Sequence, residues 1–299
     1  MMPSVGANDS TAQLPRSRDV GPTCVIAARS DPRFSYCLYV PTTPERSRET
    51  LELVVAVHGS ARFFTRYRDA FAAFCRWNRC IVLCPLFPAG VKGDRNPHGY
   101  KYLREAEIRY DAVLLAMVDE VREHYSIAAE KFALFGYSGG AHFAHRFFML
   151  HAQRLWALSI GAPGAVTLLD PTQDWWVGVR NFRAVFGVDP DIEAMRRVPV
   201  QMIVGSADIE TWEITQREDD PYWMEGANAA GRTRRDRLES LRRSYESAGI
   251  AVRFDVLANV AHDALGCIPA AEEFLAEVLA RRRRQAHAAE GVQARPLTP

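Results

Sequence analysis

The chain has little net charge and no long apolar run. Its 299 residues carry 37 Lys and Arg against 36 Asp and Glu, a formal net charge of +1. A balance so close to neutral gives no reason to expect a nucleic acid or an anionic membrane as partner. No stretch reaches the roughly 18 apolar residues of a membrane span, and the first residues lack the basic and apolar segments of a signal peptide. We therefore expect a cytoplasmic protein without a membrane partner.

The cysteines and clustered histidines do not form a metal-binding pattern. The six cysteines are Cys24, Cys37, Cys75, Cys80, Cys84 and Cys267. Cys80 and Cys84 flank an apolar run typical of a strand, where both side chains would pack on one face. His142, His145 and His151 follow one another on a predicted helix, but no further ligand stands at a suitable offset. We expect packing or surface roles for these histidines, and neither a metal nor another cofactor.

Short apolar runs alternate with helical patterns along most of the chain. The runs are residues 51–57, 80–87, 132–135, 155–160, 198–204 and 251–257, and the helical patterns include residues 63–78, 105–125, 232–248 and 270–283. This alternation predicts an α/β fold with a mostly parallel central sheet flanked by helices. We predict one domain over residues 22–283, with a disordered leader at 1–21 and a disordered tail at 284–299.

Two stretches interrupt the alternation. Residues 166–197 are longer than a simple crossover and are interpreted as a small cap insertion, and residues 209–231 form a second irregular insertion. Large aromatic side chains in these insertions either line a substrate pocket or pack the insertions onto the sheet, and both interpretations stay open. The tryptophans concerned are Trp175, Trp176, Trp212 and Trp223.

A tight turn is predicted around Ser138. The apolar run 132–135 leads into Gly136-Tyr137-Ser138-Gly139-Gly140, the G-x-S-x-G pattern, and a helical segment follows. A side chain two residues before or after the serine would collide with the neighbouring strand or helix, so the turn requires glycine there. The hydroxyl is exposed at a helix N-terminus, where backbone N–H groups stabilise negative charge on a bound oxygen. A structural glycine-rich turn in any parallel sheet would show the same pattern. The residues that could assist Ser138 must therefore distinguish a catalytic serine from such a turn.

Two residues that could assist Ser138 also follow predicted strands. Asp208 comes after the run 198–204 and His262 after the run 251–257. Because the carboxyl ends of parallel strands lie along one edge of a sheet, the three side chains can converge there as nucleophile, acid and base. Three other acids compete with Asp208 by position: Asp170, Asp174 and Asp263. The chain order Ser, Asp, His favours Asp208.

Four motifs in this order, VVAVHGS, GYSGG, VGSAD and VAHD, resemble those of the α/β-hydrolases over about residues 35–283. Among them, the chain most resembles the serine esterases related to dienelactone hydrolases and polyhydroxybutyrate depolymerases. Its HGS sequence departs from the HGGG of many lipases, which argues against a lipase. The resemblance implies an oxyanion hole formed by the backbone N–H groups of Gly139 and Ser60, with His58 bracing the loop.

The resemblance implies a serine hydrolase that cleaves an ester or amide of a small molecule through an acyl-enzyme. Hydrolysis of a C–C bond, peptide cleavage and acyl transfer use the same triad, and a ligand-binding protein on the hydrolase scaffold is a further alternative. Arg62 and Arg66 are candidate contacts for an acidic substrate, and Trp175 and Trp212 for an aromatic one. The oligomeric state is left open.

Overall fold

The structure is a computed structural model that describes residues 19–42, 51–127 and 130–293. Its strands are β1 (Gly21–Pro22), β2 (Ile26–Ala27), β3 (Ser35–Val40), β4 (Glu52–Val57), β5 (Cys80–Leu86), β6 (Arg104–Glu105), β7 (Ile108–Arg109), β8 (Phe132–Tyr137), β9 (Leu155–Gly161), β10 (Val200–Gly205) and β11 (Val252–Leu257). Its α-helices are α1 (Phe64–Ala70), α2 (Ala72–Asn78), α3 (Tyr110–His124), α4 (Gly139–His151), α5 (Phe182–Phe186), α6 (Ile192–Arg196), α7 (Arg234–Ser247) and α8 (Ala264–Gln293).

Nine of the described strands form one mixed, mostly parallel sheet. Its order is β1-β3-β5-β4-β8-β9-β10-β11, with β2 also paired to β3. The strands from β5 to β11 in this order are parallel, whereas β3 runs antiparallel to β5. The predicted parallel sheet is confirmed, and its parallel part brings the carboxyl ends of β4, β8, β10 and β11 to one edge.

The central strands are almost entirely apolar because helices cover both faces of the sheet. Every residue of β8 and β9 is buried, and so are the residues of β4 after Glu52. The helices α1, α2 and α8 contact one another and the sheet, while α4 packs on β8 and β9 and α7 on β10. The strand ends are thereby held between fixed helices.

The helix α3 begins later than its sequence pattern predicts. The pattern covers residues 105–125, but the helix starts at Tyr110. Leu103 and Ala106 have positive φ angles of 64° and 51°, and the chain folds back on itself so that β6 pairs with β7. The hydroxyl of Tyr110 donates to Glu105 at 2.6 Å and closes the hairpin onto the helix. The predicted start is wrong because apolar spacing does not reveal left-handed residues.

The two insertions meet beside the carboxyl edge of the sheet. The first contains α5 and α6, and residues 209–231 of the second are turns and irregular backbone. The indole N–H of Trp176 donates to the carbonyl oxygen of Tyr222 at 2.8 Å. The ring of Tyr222 stacks on Tyr102 with 4.2 Å between ring centroids. Aromatic contacts therefore hold the two insertions together, and we call the cluster of Tyr102, Trp176 and Tyr222 the pad formed by the insertions.

The two predicted ends of the domain are described in part. Residues 1–18 of the predicted leader lie outside the described part of the chain. Its last residue, Gly21, belongs to β1 and pairs with Val40 of β3. Residues 284–293 of the predicted tail belong to α8, and residues 294–299 lie outside the described part. Over the described ranges, no helix combines the length and the apolar character needed to cross a bilayer.

A half-buried glutamate on α8 makes the stability depend on pH. One carboxyl oxygen of Glu272 is buried without a hydrogen-bond partner among the described residues, and burial raises its pKa to about 7. The folded protein therefore holds a proton that the unfolded chain releases near pH 4.5, so stability falls as the pH rises from about 4.5 to about 7. Water screens a half-exposed group, so we expect Glu272→Gln to stabilise the protein by only about 1–2 kcal/mol at pH 8.

Urea unfolding at pH 5 and pH 8 checks this prediction. At pH 5 the two proteins should have nearly equal free energies of unfolding, because Glu272 is mostly protonated in the folded state. The control is Glu273→Gln, which alters an exposed carboxylate on the same helix turn. Equal effects of the two substitutions at pH 8 would contradict the prediction.

Candidate active site

Ser138 lies in the turn between β8 and α4. Its φ of 55° and ψ of −117° are unfavourable for a residue with a side chain. A Cβ on Gly136 would lie 2.1 Å from the carbonyl oxygen of Gly140, and a Cβ on Gly140 would lie 2.1 Å from that of Val57. The steric requirement predicted for both glycines is confirmed. The turn places the serine at the N-terminus of α4.

Three predicted residues from three strand ends meet at the carboxyl edge of the sheet. The Ser138 hydroxyl lies 3.0 Å from Nε2 of His262, whose Nδ1 lies 2.7 Å from Oδ2 of Asp208. Asp208 follows β10 and His262 follows β11. We assign the imidazole proton to Nδ1, so that Asp208 accepts from Nδ1 and Nε2 accepts from the hydroxyl. This arrangement can take the serine proton while the oxygen attacks a carbonyl carbon.

The three alternative acids have other partners and do not contact His262. Asp170 accepts from Thr172, Asp174 pairs with Arg180, and Asp263 accepts from the backbone N–H groups of Leu265 and Gly266. The structure therefore brings Asp208, and not its competitors, to the imidazole.

Asp208 is held by a buried arginine that the sequence pattern does not single out. Asp208 is 2% exposed and Arg234 is 3% exposed. The guanidinium donates to Oδ1 of Asp208 at 2.9 Å and also to Glu213. Burial by itself raises the pKa of the Asp208 carboxyl, but the hydrogen bond from His262 and the charge of Arg234 outweigh it. The pKa therefore lies below its ordinary value, and each carboxylate oxygen has a fixed donor.

The loop after β4 lies against the nucleophile turn. A Cβ on Gly139 would stand 3.2 Å from the backbone nitrogen of Ser60, so the two N–H groups proposed for the oxyanion are neighbours. As the first residue of α4, Gly139 has no helical partner for its N–H. His58 donates from Nδ1 to the Gly59 oxygen at 2.8 Å and accepts from the N–H of Phe87 at 3.0 Å. Burial lowers the pKa of His58 to about 3, which makes it the neutral brace that was predicted.

Arg62 lines the cleft, but its guanidinium is bound to the backbone. It donates to the carbonyl oxygens of Ser60, Phe87 and Pro97, the last at 2.6 Å. These bonds join the loops that follow β4 and β5. The predicted contact with substrate stays a prediction, and the geometry gives Arg62 a role in shaping the wall. Arg66 also lines the cleft and is exposed.

The predicted tryptophans do not line the cleft. Trp175 packs against Phe182 and Phe186 with ring centroids 5.4 and 4.7 Å away. Trp176 is buried in the pad formed by the insertions. Trp212 is 73% exposed and stands away from the cleft wall. The packing interpretation therefore fits Trp175 and Trp176.

The histidines of α4 fix the first insertion to the helix. His142 accepts the N–H of Ala165 at 3.0 Å and His145 that of Thr167 at 2.9 Å. Burial lowers the pKa of both histidines well below its ordinary value, so they are neutral acceptors. His151 bonds to Asp111 on α3. Over residues 19–42, 51–127 and 130–293, no three His, Cys, Asp or Glu side chains converge as metal ligands would.

The cleft above Ser138 has a volume of about 660 Å³. Its walls include His262, Lys101, His142 and Tyr222, with Phe63 and Leu265 as exposed apolar residues at its mouth. Sequence reasoning missed Lys101, which directly follows a loop rich in Gly and Pro, and it missed the position of His142 in the wall. A lysine next to such a loop carries no signal of burial.

The mostly parallel sheet flanked by helices is that of the α/β-hydrolase fold, as the structural comparisons show. A poly(aspartic acid) hydrolase from Sphingomonas sp. KT-1 is similar with a TM-score of 0.64 and 21% identity, over 80% of this chain and 92% of the other. A poly(3-hydroxybutyrate) depolymerase from Bordetella parapertussis is similar with a TM-score of 0.66 and 19% identity, over 87% of this chain and 92% of the other. An S-formylglutathione hydrolase from Agrobacterium tumefaciens is similar with a TM-score of 0.53 and 16% identity, over 83% of this chain and 90% of the other. No protein-family model and no curated protein matches the chain.

Proposed function

We propose that the protein is a serine hydrolase that cleaves a carboxylic ester or amide of a small molecule. The observation that carries this proposal is the continuous hydrogen-bonded chain from Ser138 through His262 to Asp208 at the floor of an open cleft. A nucleophile, a base and an orienting acid in contact are the requirements of covalent acyl transfer. The volume of the cleft lies within the range of small-molecule sites.

The proposed reaction runs in two halves. Ser138 Oγ attacks the carbonyl carbon while Nε2 of His262 takes its proton, and the N–H groups of Gly139 and Ser60 stabilise the negative oxygen. The intermediate collapses to an acyl-enzyme, and the leaving group departs with the proton from His262. Water then attacks the acyl carbon while His262 takes its proton. When the bond to Ser138 Oγ breaks, His262 returns that proton to Oγ and the acid is released. Asp208 keeps the imidazole in the required tautomer throughout.

The names of the structural neighbours support hydrolysis as the reaction class. Those proteins are named as hydrolases of poly(aspartic acid) and S-formylglutathione and as a poly(3-hydroxybutyrate) depolymerase. Their substrates differ while the fold is shared, because specificity is set by the loops around a common site. The proposal for this chain therefore goes no further than the bond class, and we place an ester first.

An organophosphonate probe and a series of 4-nitrophenyl esters of increasing acyl length test the proposal. We expect the probe to label Ser138, located by peptide mass spectrometry, and the ester series to give the length of the acyl pocket. Labelling without ester turnover would direct the search to amide or C–C substrates, with product analysis to separate them. A protein that neither reacts with the probe nor cleaves any substrate would be a ligand-binding protein, and the proposal would be wrong.

A further inference from the structure

A buried lysine lines the cleft beside Gly139. Lys101 lies in the 3₁₀ turn Gly99–Tyr102 and is 8% exposed. A Cβ on Gly139 would stand 3.0 Å from Cε of Lys101 and 3.2 Å from the backbone nitrogen of Ser60. Nζ of Lys101 lies 2.9 Å from Nδ1 of His98. Burial lowers the pKa of His98 to about 4, so at pH 7 its neutral ring accepts one of the three ammonium hydrogens.

The charge of Lys101 has no opposite charge near it in the described ranges. Burial, with repulsion from Arg62 and Arg146, lowers its pKa to about 8, and no acid counteracts this. The neighbouring Arg146 is fully buried too, and its guanidinium donates to the carbonyl oxygen of Lys101 and to the hydroxyl of Thr167. Buried cations without a counter-charge are unfavourable, and an anion bound in the cleft would relieve this cost.

A buried donor without a partner among the described residues lies on the same wall. His142 stands in the first turn of α4 and lines the cleft. Because its Nε2 accepts the N–H of Ala165, we assign its proton to Nδ1. This Nδ1 is buried and has no hydrogen-bond partner among the described residues. Both side chains line the cleft at the start of α4, since Lys101 lies beside Gly139, three residues before His142. Buried donors are normally satisfied, so the site calls for an acceptor.

The carboxylates that line the cleft are already engaged elsewhere. Glu213 pairs with Arg234, and Asp263 accepts two N–H groups in the first turn of α8. Asp220 accepts the backbone N–H of Arg217 at 2.7 Å. None of these three acids forms an ion pair with Lys101 in the described structure. These acids therefore supply neither a counter-charge for Lys101 nor an acceptor for Nδ1 of His142.

We propose that Lys101 and His142 form a subsite for a carboxylate on the acyl portion of the substrate. This inference rests on the proposed function. The leaving group must depart beside His262, which protonates it, whereas Lys101 lies beside Gly139 on the oxyanion side. An anion at Lys101 therefore belongs to the part of the substrate that stays on Ser138. The preferred substrates are monoesters of small dicarboxylic acids or acyl groups of the same charge.

Two esters that differ in one charge test the subsite. The mono-4-nitrophenyl ester of adipic acid carries a free carboxylate, and its methyl diester does not; the suberic acid pair covers a longer reach. At pH 7 we expect the wild-type protein to prefer the monoanion. Lys101→Met removes the charge and keeps the length of the side chain. It should lower the ratio of kcat/KM for the monoanion over the diester by about 10-fold to 100-fold, as loss of a charge-assisted hydrogen bond does.

The matched control is Lys92→Met, in the exposed loop before the turn that carries Lys101. It should leave the ratio of the two kcat/KM values unchanged. Lys101→Arg keeps the positive charge and should retain part of the preference for the monoanion. An equal loss on both esters in Lys101→Met would overturn the proposal, because the lysine would then serve the oxyanion or the fold. A ratio that does not change would overturn it as well.

Binding separates failure of the subsite from failure of the proposed function. If Ser138 is not labelled by the phosphonate and neither ester is cleaved, the proposed function fails on its own. Calorimetry with monomethyl adipate then compares the wild-type protein with Lys101→Met. A dissociation constant raised about tenfold or more in the variant supports the carboxylate subsite, and equal constants in the two proteins overturn it.

Discussion

The variant Ser138→Ala should lose nearly all turnover, with a fall in kcat/KM for a 4-nitrophenyl ester of about 10⁵-fold to 10⁶-fold. The substitution removes the only atom that can form the acyl-enzyme and leaves His262 without a proton to accept. The N–H of Gly139 and the cleft stay in place, so the remaining activity measures what binding and oxyanion stabilisation achieve alone. Steady-state kinetics with background hydrolysis subtracted give the ratio.

Ser60→Ala is the matched control for this experiment. Ser60 is proposed to act through its backbone N–H, which alanine keeps, so a large loss is expected only at Ser138. The melting temperature of each variant shows whether the fold is retained. Turnover in Ser138→Ala close to that of the wild-type protein would refute covalent catalysis by this serine.

The variant Asp208→Asn should lower kcat by about 10³-fold to 10⁴-fold, the loss seen when the imidazole is held in the wrong tautomer. Arg234 can only donate, so it will hold the amide oxygen of the new side chain. The amide NH₂ then faces Nδ1 of His262 and forces the imidazole proton onto Nε2. Nε2 can no longer accept the proton of Ser138, although every heavy atom stays in place.

Asp263→Asn is the control for this second prediction. Its side chain adjoins His262 in the chain but accepts one backbone N–H group of α8 on each carboxylate oxygen, and the single amide oxygen of asparagine keeps one of these two bonds. We expect little change in kcat for this variant. A larger loss in Asp263→Asn than in Asp208→Asn would reverse the assignment of the orienting acid.

The position of Ser138, the sheet and the strand ends could be predicted because each depends on local constraints. The turn at Ser138 admits only glycine at two nearby positions, and buried parallel strands must be apolar on both faces. Chain order then selected Asp208 and His262, and the structure brings both to the serine. These features are visible in the sequence because a single strand or turn determines them.

Contacts between distant segments left no such trace. Arg234 stands in a basic helix beside the exposed Arg235, and the packing of α7 against β10 buries it beside Asp208. Lys101 is buried beside Gly139 on α4, and the irregular loop before it has no periodic pattern that would predict this contact. The aromatic residues of the insertions could serve two purposes, and composition does not separate a pocket wall from a packing surface.

The strand that delivers His262 lies at one edge of the sheet. Within the described sheet β11 pairs with β10 alone, and none of its residues is fully buried. Mild warming can therefore release β11 from β10 while β4, β8 and β9 stay paired, since proteins open locally before they unfold globally. Inactivation should precede the loss of helical circular dichroism, and amide hydrogens should exchange faster in β11 than in β8. The heat tolerance of the proposed activity would then depend on one border strand, and stabilising substitutions should be tried there first.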